Sequence, residues 1–159
     1  YFRSEGDLAW QQQRFRNHIN AAKALKKPII VHTRDAKRDT LRILQEENAA
    51  EIGGIIHCFT EDWEFAQGAL DLGFYISFSG IVTFNSAKEI KEVAKKVPAD
   101  KFLIETDSPY LAPVPYRGKP NYPTHVRYVA EYIAGLRGTS LSQVAEESTN
   151  NFRTLFALS

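Results

Sequence analysis

Four short apolar runs each stop on polar or small residues: Ile29-Ile30-Val31-His32, Ile55-Ile56-His57, Phe74-Tyr75-Ile76-Ser77-Phe78-Ser79-Gly80 and Phe102-Leu103-Ile104-Glu105-Thr106-Asp107. Their β-branched and aromatic content marks them as strands. They run with few polar interruptions, which suits parallel strands covered on both faces better than the strict alternation of a half-exposed antiparallel sheet. The ends fall at residues 32, 57, 80 and 107, so the spacings are 25, 23 and 27 residues. That is the period of a βα unit. A (β/α)8 barrel of ~250 residues allots roughly 31 residues to each unit and keeps its active site at the C-terminal ends of the strands.

Between the runs the apolar period changes to that of helices. From Asp7 to about Lys27, the residues Leu8, Phe15, Ile19, Ala22 and Leu25 recur at helical intervals, with Asp7 as the expected N-cap and Pro28 as the stop. Residues 36–50 read as a second helix, buried along Leu41 and Leu44. Thr60 is expected to cap a third that ends at Gly73. Ser86 and Glu89 match the S-x-x-E capping box before Ile90, Val93, Ala94 and Val97, and Pro98 closes that helix. Thr124 is expected to cap the next, which ends near Gly138, and Ser140 with Gln143 opens the last. Pro109, Pro113, Pro115, Pro120 and Pro123 crowd the stretch after Asp107, a long ordered loop expected to lie across the site.

Composition narrows the class without naming a substrate. The chain of 159 residues is 43% hydrophobic and 25% charged, enough for one globular domain over residues 1–159 with a sizeable core. A formal net charge of +1 excludes a broadly basic nucleic-acid coat, so any such contact must be local. The single cysteine, Cys58, has no intramolecular partner, and no apolar stretch approaches the ~18 residues of a membrane span; a cytoplasmic protein is expected. The chain starts at Tyr1 and holds no Met, which suggests part of a longer product.

His32 and His57 lie one unit apart at the ends of neighbouring strands, where two imidazoles can converge on one metal ion, and Asp107 adds a carboxylate on the same rim. Taken singly, a strand-end histidine is more often a hydrogen-bonded core residue. Glu105 shares a face with Asp107 and is expected to orient a neighbouring ligand rather than bind metal. Cys58 and His57, consecutive on a strand, should point to opposite faces and so form no nucleophile–base dyad. Arg34, Arg117 and Lys119 follow strand ends on loops and suit phosphate oxygens, with solvated loop charge as the plain alternative. Trp63 and Tyr110 are expected to pack rather than stack on a base, and His18 and His125 to have no metal role.

The stretches PIIVHTRDA (28–36), GIIHCFTE (54–61), FLIETDSPYLAP (102–113) and RGKPNYP (117–123) resemble the TatD family of metal-dependent hydrolases and deoxyribonucleases, in the family's order and over the whole chain. The resemblance implies an α/β fold, the C-terminal half of an amidohydrolase-like TIM barrel with four parallel strands and their helices. It implies a divalent-metal site, two ions of Mg, Mn or Zn in a complete molecule, with His32 and His57 on one ion and Asp107 on the other, Asp107 also handling the proton of the attacking water. The family's opening His-x-His pair and bridging Glu have no counterpart here; Tyr1-Phe2 is similar to the tail of the motif that follows that Glu.

The expected function is therefore hydrolysis of phosphodiester bonds, with DNA as substrate, Asp107 as catalytic residue and Arg34, Arg117 and Lys119 as substrate contacts. A small amide or ester is the alternative substrate for the same chemistry. A half-barrel without activity is the alternative to an enzyme, and its two sheet edges would favour self-association.

Overall fold

A computed structural model of the chain describes residues 1–158. Four parallel strands, β1 (Ile29–His32), β2 (Gly54–His57), β3 (Tyr75–Phe78) and β4 (Phe102–Ile104), form one sheet in sequential order. Six α-helices accompany them: α1 (Ala9–Leu25), α2 (Lys37–Glu46), α3 (Trp63–Asp71), α4 (Lys88–Lys96), α5 (Val126–Arg137) and α6 (Leu141–Phe156). The βα repeat expected from the spacing is present, and no helix among the described residues is long and apolar enough to cross a membrane.

The sheet has two unlike faces because side chains alternate along each strand. One face carries Val31, Ile56, Ile76, Phe78 and Phe102, all buried against helix residues such as Ile43, Phe65, Val93 and Ile133. The other carries Ile30, Ile55, Tyr75 and Leu103, of which the last three are buried with Leu155 and Phe156 at the end of α6 packed against them. Ile30, on the edge strand, is left 66% exposed. Further along this second face stand His32, His57, Ser77 and, one residue past β4, Glu105. The face that meets only the end of one helix is thus the face that carries the polar strand ends.

Several expected caps formed differently. Asp62, not Thr60, accepts the capping hydrogen bond of α3, from Phe65 N at 3.0 Å, because the chain needs two more residues to leave β2 and enter the helix. The Ser86–Glu89 box does not form: α4 starts behind Ala87 without a side-chain cap, and the Ser86 carbonyl is taken by Lys88 N. Thr124 lies inside a 3₁₀ turn (Pro123–His125) that runs directly into α5 and caps nothing. Leu8, not Asp7, holds the N-cap position of α1, and Asp7 accepts from Ala9 N at 2.8 Å from one residue further out; Ser140 caps α6 through Gln143 N at 3.1 Å. The second helix ends at Glu46, ten residues long, after which Asn48 turns left-handed (φ 51°) into a 3₁₀ turn.

The third and fourth strands are shorter than their apolar runs. After Phe78 the chain coils into a 3₁₀ turn (Gly80–Thr83), and after Ile104 only Glu105 N continues the ladder, to Phe78 O at 3.0 Å. Gly80 is needed there: a Cβ would fall 2.0 Å from the Leu111 carbonyl oxygen, so the loop following β4 rests on bare backbone.

Gly54 sets the closest approach within the sheet. A Cβ on it would lie 2.2 Å from Ile29 O and 2.7 Å from Phe74 Cε1, and the first of these is backbone that cannot swing aside. Gly54→Ala is expected to destabilise the chain by ~1–3 kcal/mol through overpacking, measured by urea denaturation. A change too small to measure would mean that the β1–β2 spacing is not set here.

Candidate metal centre

The ladder pairs Ile29 with Gly54, Ile30 with Ile55, Val31 with Ile56 and His32 with His57. In-register parallel pairing puts the two imidazoles side by side, ring centroids 5.8 Å apart and planes inclined by 51°. Both occupy the open face at the C-terminal rim, as their spacing required.

The tighter grouping is on the other side of His57. Its Nδ1 lies 2.8 Å from Oε1 of Glu105 and its Nε2 3.3 Å from Oδ1 of Asp107. Among the described residues, His57, Glu105 and Asp107 are the one set of three imidazole, thiol or carboxylate groups whose ligand atoms all fall within 4.8 Å of one another. His32 stands beside this triad rather than in it. Glu105 is oriented from below: Ser77, two residues into the facing strand, donates its hydroxyl to Oε2 at 2.5 Å. Oε1 is buried yet receives no aligned donor, since the His57 ring nitrogen reaches it off the hydrogen-bond line.

Backbone geometry beyond the strands explains how the carboxylates converge. Asp107 lies past the ladder with φ 57°, and Asp35 and Cys58 adopt similar left-handed conformations just after β1 and β2. Such conformations cost non-glycine residues of order 1–3 kcal/mol each and concentrate at functional sites. Cys58 corrects the sequence reading. The strand stops at His57, so Cys58 does not fall on the opposite face; it borders the same cleft as His32 and Asp107, with Sγ 3.3 Å from Ser79 Oγ. It still forms no dyad with His57, because burial pushes its thiol up to about 11 and keeps it protonated.

The charge states follow from these neighbours. Glu105 against its ring raises the His57 pKa, outweighing the opposing effect of burial. Burial, reinforced by the charge on His57, lowers that of His32. Burial alone would raise the Glu105 pKa, but the close imidazole of His57 and the hydrogen bond from Ser77 prevail and hold it below its ordinary value. A negatively charged Glu105 with an unmatched buried oxygen beside an imidazole and a second carboxylate is a site that fits a divalent cation of N- and O-ligand preference.

A cleft of about 1090 Å³, which Asp107 alone of the triad lines, is also bordered by His32, Arg34, Lys37, Arg38, Cys58, Glu61 and Tyr110. Of the three predicted phosphate contacts, Arg34 reaches it, its guanidinium lying 3.4 Å over the Phe2 ring. Arg117 stacks 3.5 Å over Phe84 and Lys119 is exposed on the same loop; neither lines the cleft. Tyr110 was expected to pack, but it is 71% exposed at the cleft wall, because the turn after Asp107 points it outward. Lys37 and Arg38 were missed. Both open α2, and the first turn of a helix following a rim residue is where they could have been sought. His18 and His125 bond to Arg14 O and Asn121 Oδ1, away from the triad.

Parallel β/α units that gather imidazole and carboxylate groups at the C-terminal strand ends place this chain among the barrel-type α/β folds whose sites lie at the strand mouths. It belongs to the family described as TatD related DNase, whose model matches residues 1–157. The chain is 58% identical over 146 residues to YcfH of Escherichia coli K12, an uncharacterized metal-dependent hydrolase, covering 92% of this chain and 55% of that protein. It is 49% identical over 148 residues to YabD of Bacillus subtilis, of the same description, covering 93% and 58%. The crystal structure of YJJV, a TatD homologue from E. coli K12, superposes with a TM-score of 0.86 at 26% identity, over 98% of this chain and 61% of that one. The chain therefore spans a little over half the length of the curated relatives it matches.

The opposed shifts of the two histidines are directly measurable. In metal-free protein, imidazole NMR should give His57 a midpoint above 6.5 and His32 one below it. A raised folded-state pKa means that His57 contributes stability fully present below 6.5, and lost as pH rises through its folded midpoint. Glu105→Gln should bring the His57 midpoint down; an unmoved midpoint would show that the carboxylate does not set it.

Proposed function

We propose that the chain supplies the metal-binding strand ends of a hydrolase that cleaves phosphodiester bonds in DNA. The observation that carries this is the His57–Glu105–Asp107 triad with its unmatched buried Glu105 oxygen, set at the strand ends, with Asp107 on the wall of a cleft that Arg34, Lys37 and Arg38 also line. His57, Asp107 and, beside them, His32 would hold divalent metal, two ions in a complete site of Mg, Mn or Zn. Such ions acidify water and offset charge on phosphoryl oxygens.

The remaining work falls to side chains of this chain. Asp107 takes or orients the proton of the attacking water at its carboxylate, which faces the cleft. Glu105, pinned by Ser77, fixes the ring of His57 from the Nδ1 side and leaves Nε2 toward the site. Arg34 meets the phosphate at the cleft wall, while Arg117 and Lys119 meet a strand that extends beyond it. Exposed Tyr110 offers a face on which a base can stack. The cleft is slightly larger than the ~300–1000 Å³ usual for small ligands, which favours a segment of a polymer over a small amide or ester, and Arg34, Lys37 and Arg38 stand on its wall among Asp35, Asp39, Glu61 and Asp107. A cytoplasmic setting accords with the lone thiol, and the sparsely covered Ile30 face suits self-association or pairing with further barrel strands.

The test is an assay of the 159-residue chain on labelled single-stranded DNA with Mg²⁺, Mn²⁺ or Zn²⁺, beside a full-length relative and against small amides and esters. Full-length protein should cleave DNA and lose that activity on replacement of the residue matching His57, while the chain alone should be slower by more than about tenfold, as loss of metal-site partners entails. Preference for an amide, or DNA cleavage that survives His57→Ala, would overturn the reading.

A further inference from the structure

We propose that Asn121 is a positioning residue for Asp107, locking the turn that aims this carboxylate at the metal centre; the inference rests on the metal-site reading above. Asn121 lies far along the proline-rich loop, yet it is only 2% exposed. Its Nδ2 donates to Thr106 O at 2.8 Å and to Tyr110 O at 2.7 Å. Its own backbone N donates to Pro109 O at 3.0 Å. Oδ1 accepts from Tyr122 N at 3.0 Å and lies 3.0 Å from His125 Nδ1. Both amide hydrogens are used, and Oδ1 has two partners.

The three carbonyls that Asn121 holds all belong to residues 106–110, the turn containing Asp107. Thr106 O is part of the peptide unit immediately before Asp107, and Asp107 O closes the turn by accepting from Tyr110 N at 3.0 Å. With Asp107 at φ 57°, outside the ladder that would otherwise dictate its direction, the orientation of that peptide unit decides where its carboxylate points. On the other side His125 stacks on Tyr116, centroids 4.4 Å apart and planes within 9°. His125 stands at the start of α5, whose Val129, Ala130 and Ile133 are buried. Asn121 therefore couples the Asp107 turn to a helix anchored in the core. Aspartate lacks the two donors, and glutamine would place them a methylene too far.

The same chemistry occurs where no site is involved, which provides a control. Asn151, 6% exposed, donates its Nδ2 to Ala99 O at 2.9 Å and Phe102 O at 2.8 Å, at the opposite end of β4. A purely structural role would make the two asparagines equivalent.

The experiment compares Asn121→Ala, Asn151→Ala and the milder His125→Ala in the full 159-residue chain. Two quantities are read: amide exchange of Tyr110 without metal, and Mn²⁺ affinity by calorimetry with His57→Ala as the zero. Asn121→Ala should speed Tyr110 exchange and weaken Mn²⁺ binding by about tenfold or more, the usual cost of losing an outer partner of a ligand. His125→Ala should move both in the same direction by a smaller factor, and it decides the matter if Asn121→Ala does not fold. Asn151→Ala should lower Tm while leaving both readouts near wild type. Unchanged Tyr110 exchange, or equal losses of Mn²⁺ affinity in the Asn121 and Asn151 variants, would overturn the proposal. Failure of the unaltered chain to bind Mn²⁺ would count against the metal-site reading instead, and the exchange measurement would still decide whether Asn121 holds the turn.

Discussion

The in-register pairing of β1 with β2 is the constraint on which the rest depends. Parallel strands bring equivalent positions level with one another, so a polar residue at the end of one strand necessarily stands beside its counterpart on the next. His32 opposite His57 is the result, and it holds only because Gly54 lets the β2 backbone approach Ile29 closely enough for the ladder to form. A slip of one residue would turn every side chain of β1 to the other face and carry His32 under the helices.

That register also divides labour between the faces of the sheet. Helices bury one face behind Phe65, Val93 and Ile133, and this burial is the main source of stability. The second face is covered thinly, by Leu155 and Phe156 on Tyr75, Ile55 and Leu103, and rises to the polar rim. Here Glu105 can remain charged. Glu105 is mostly buried, but a hydroxyl on one oxygen and an imidazole near the other keep its ionised form favoured. The unmatched part of that charge is what makes the rim receptive to a cation.

The long loop after β4 is held by polar contacts as well as by the burial of Ala112 and Pro113. Gly80 receives the Leu111 carbonyl, Thr83 Oγ1 accepts from Val114 N at 3.0 Å, and Asn121 gathers the turn at Asp107. Each contact spans a large separation along the chain. The loop is thus fixed to two different parts of the fold, the turn after β3 and the start of α5, and the site inherits its rigidity from both.

Much of this was legible in the residues themselves. Apolar runs and their spacing determined the parallel βα architecture, because burial on both faces demands continuous hydrophobicity whatever lies beyond. The same logic placed His32, His57, Glu105 and Asp107 on one rim, since alternation and register are local rules. Sequence reasoning misplaced the caps at Thr60, Ser86 and Thr124, where the path of the chain between packed elements overrode a local preference. It sent Cys58 to the wrong face by extending strand geometry one residue too far, and it packed away Tyr110, which the turn exposes. Tertiary structure alone decided that Glu105 and Asp107 close on His57 while His32 stands aside, that Arg117 lies on Phe84 outside the cleft, and that Asn121 holds the Asp107 turn. These depend on left-handed backbone and on contacts between distant segments, which no periodicity along the chain encodes.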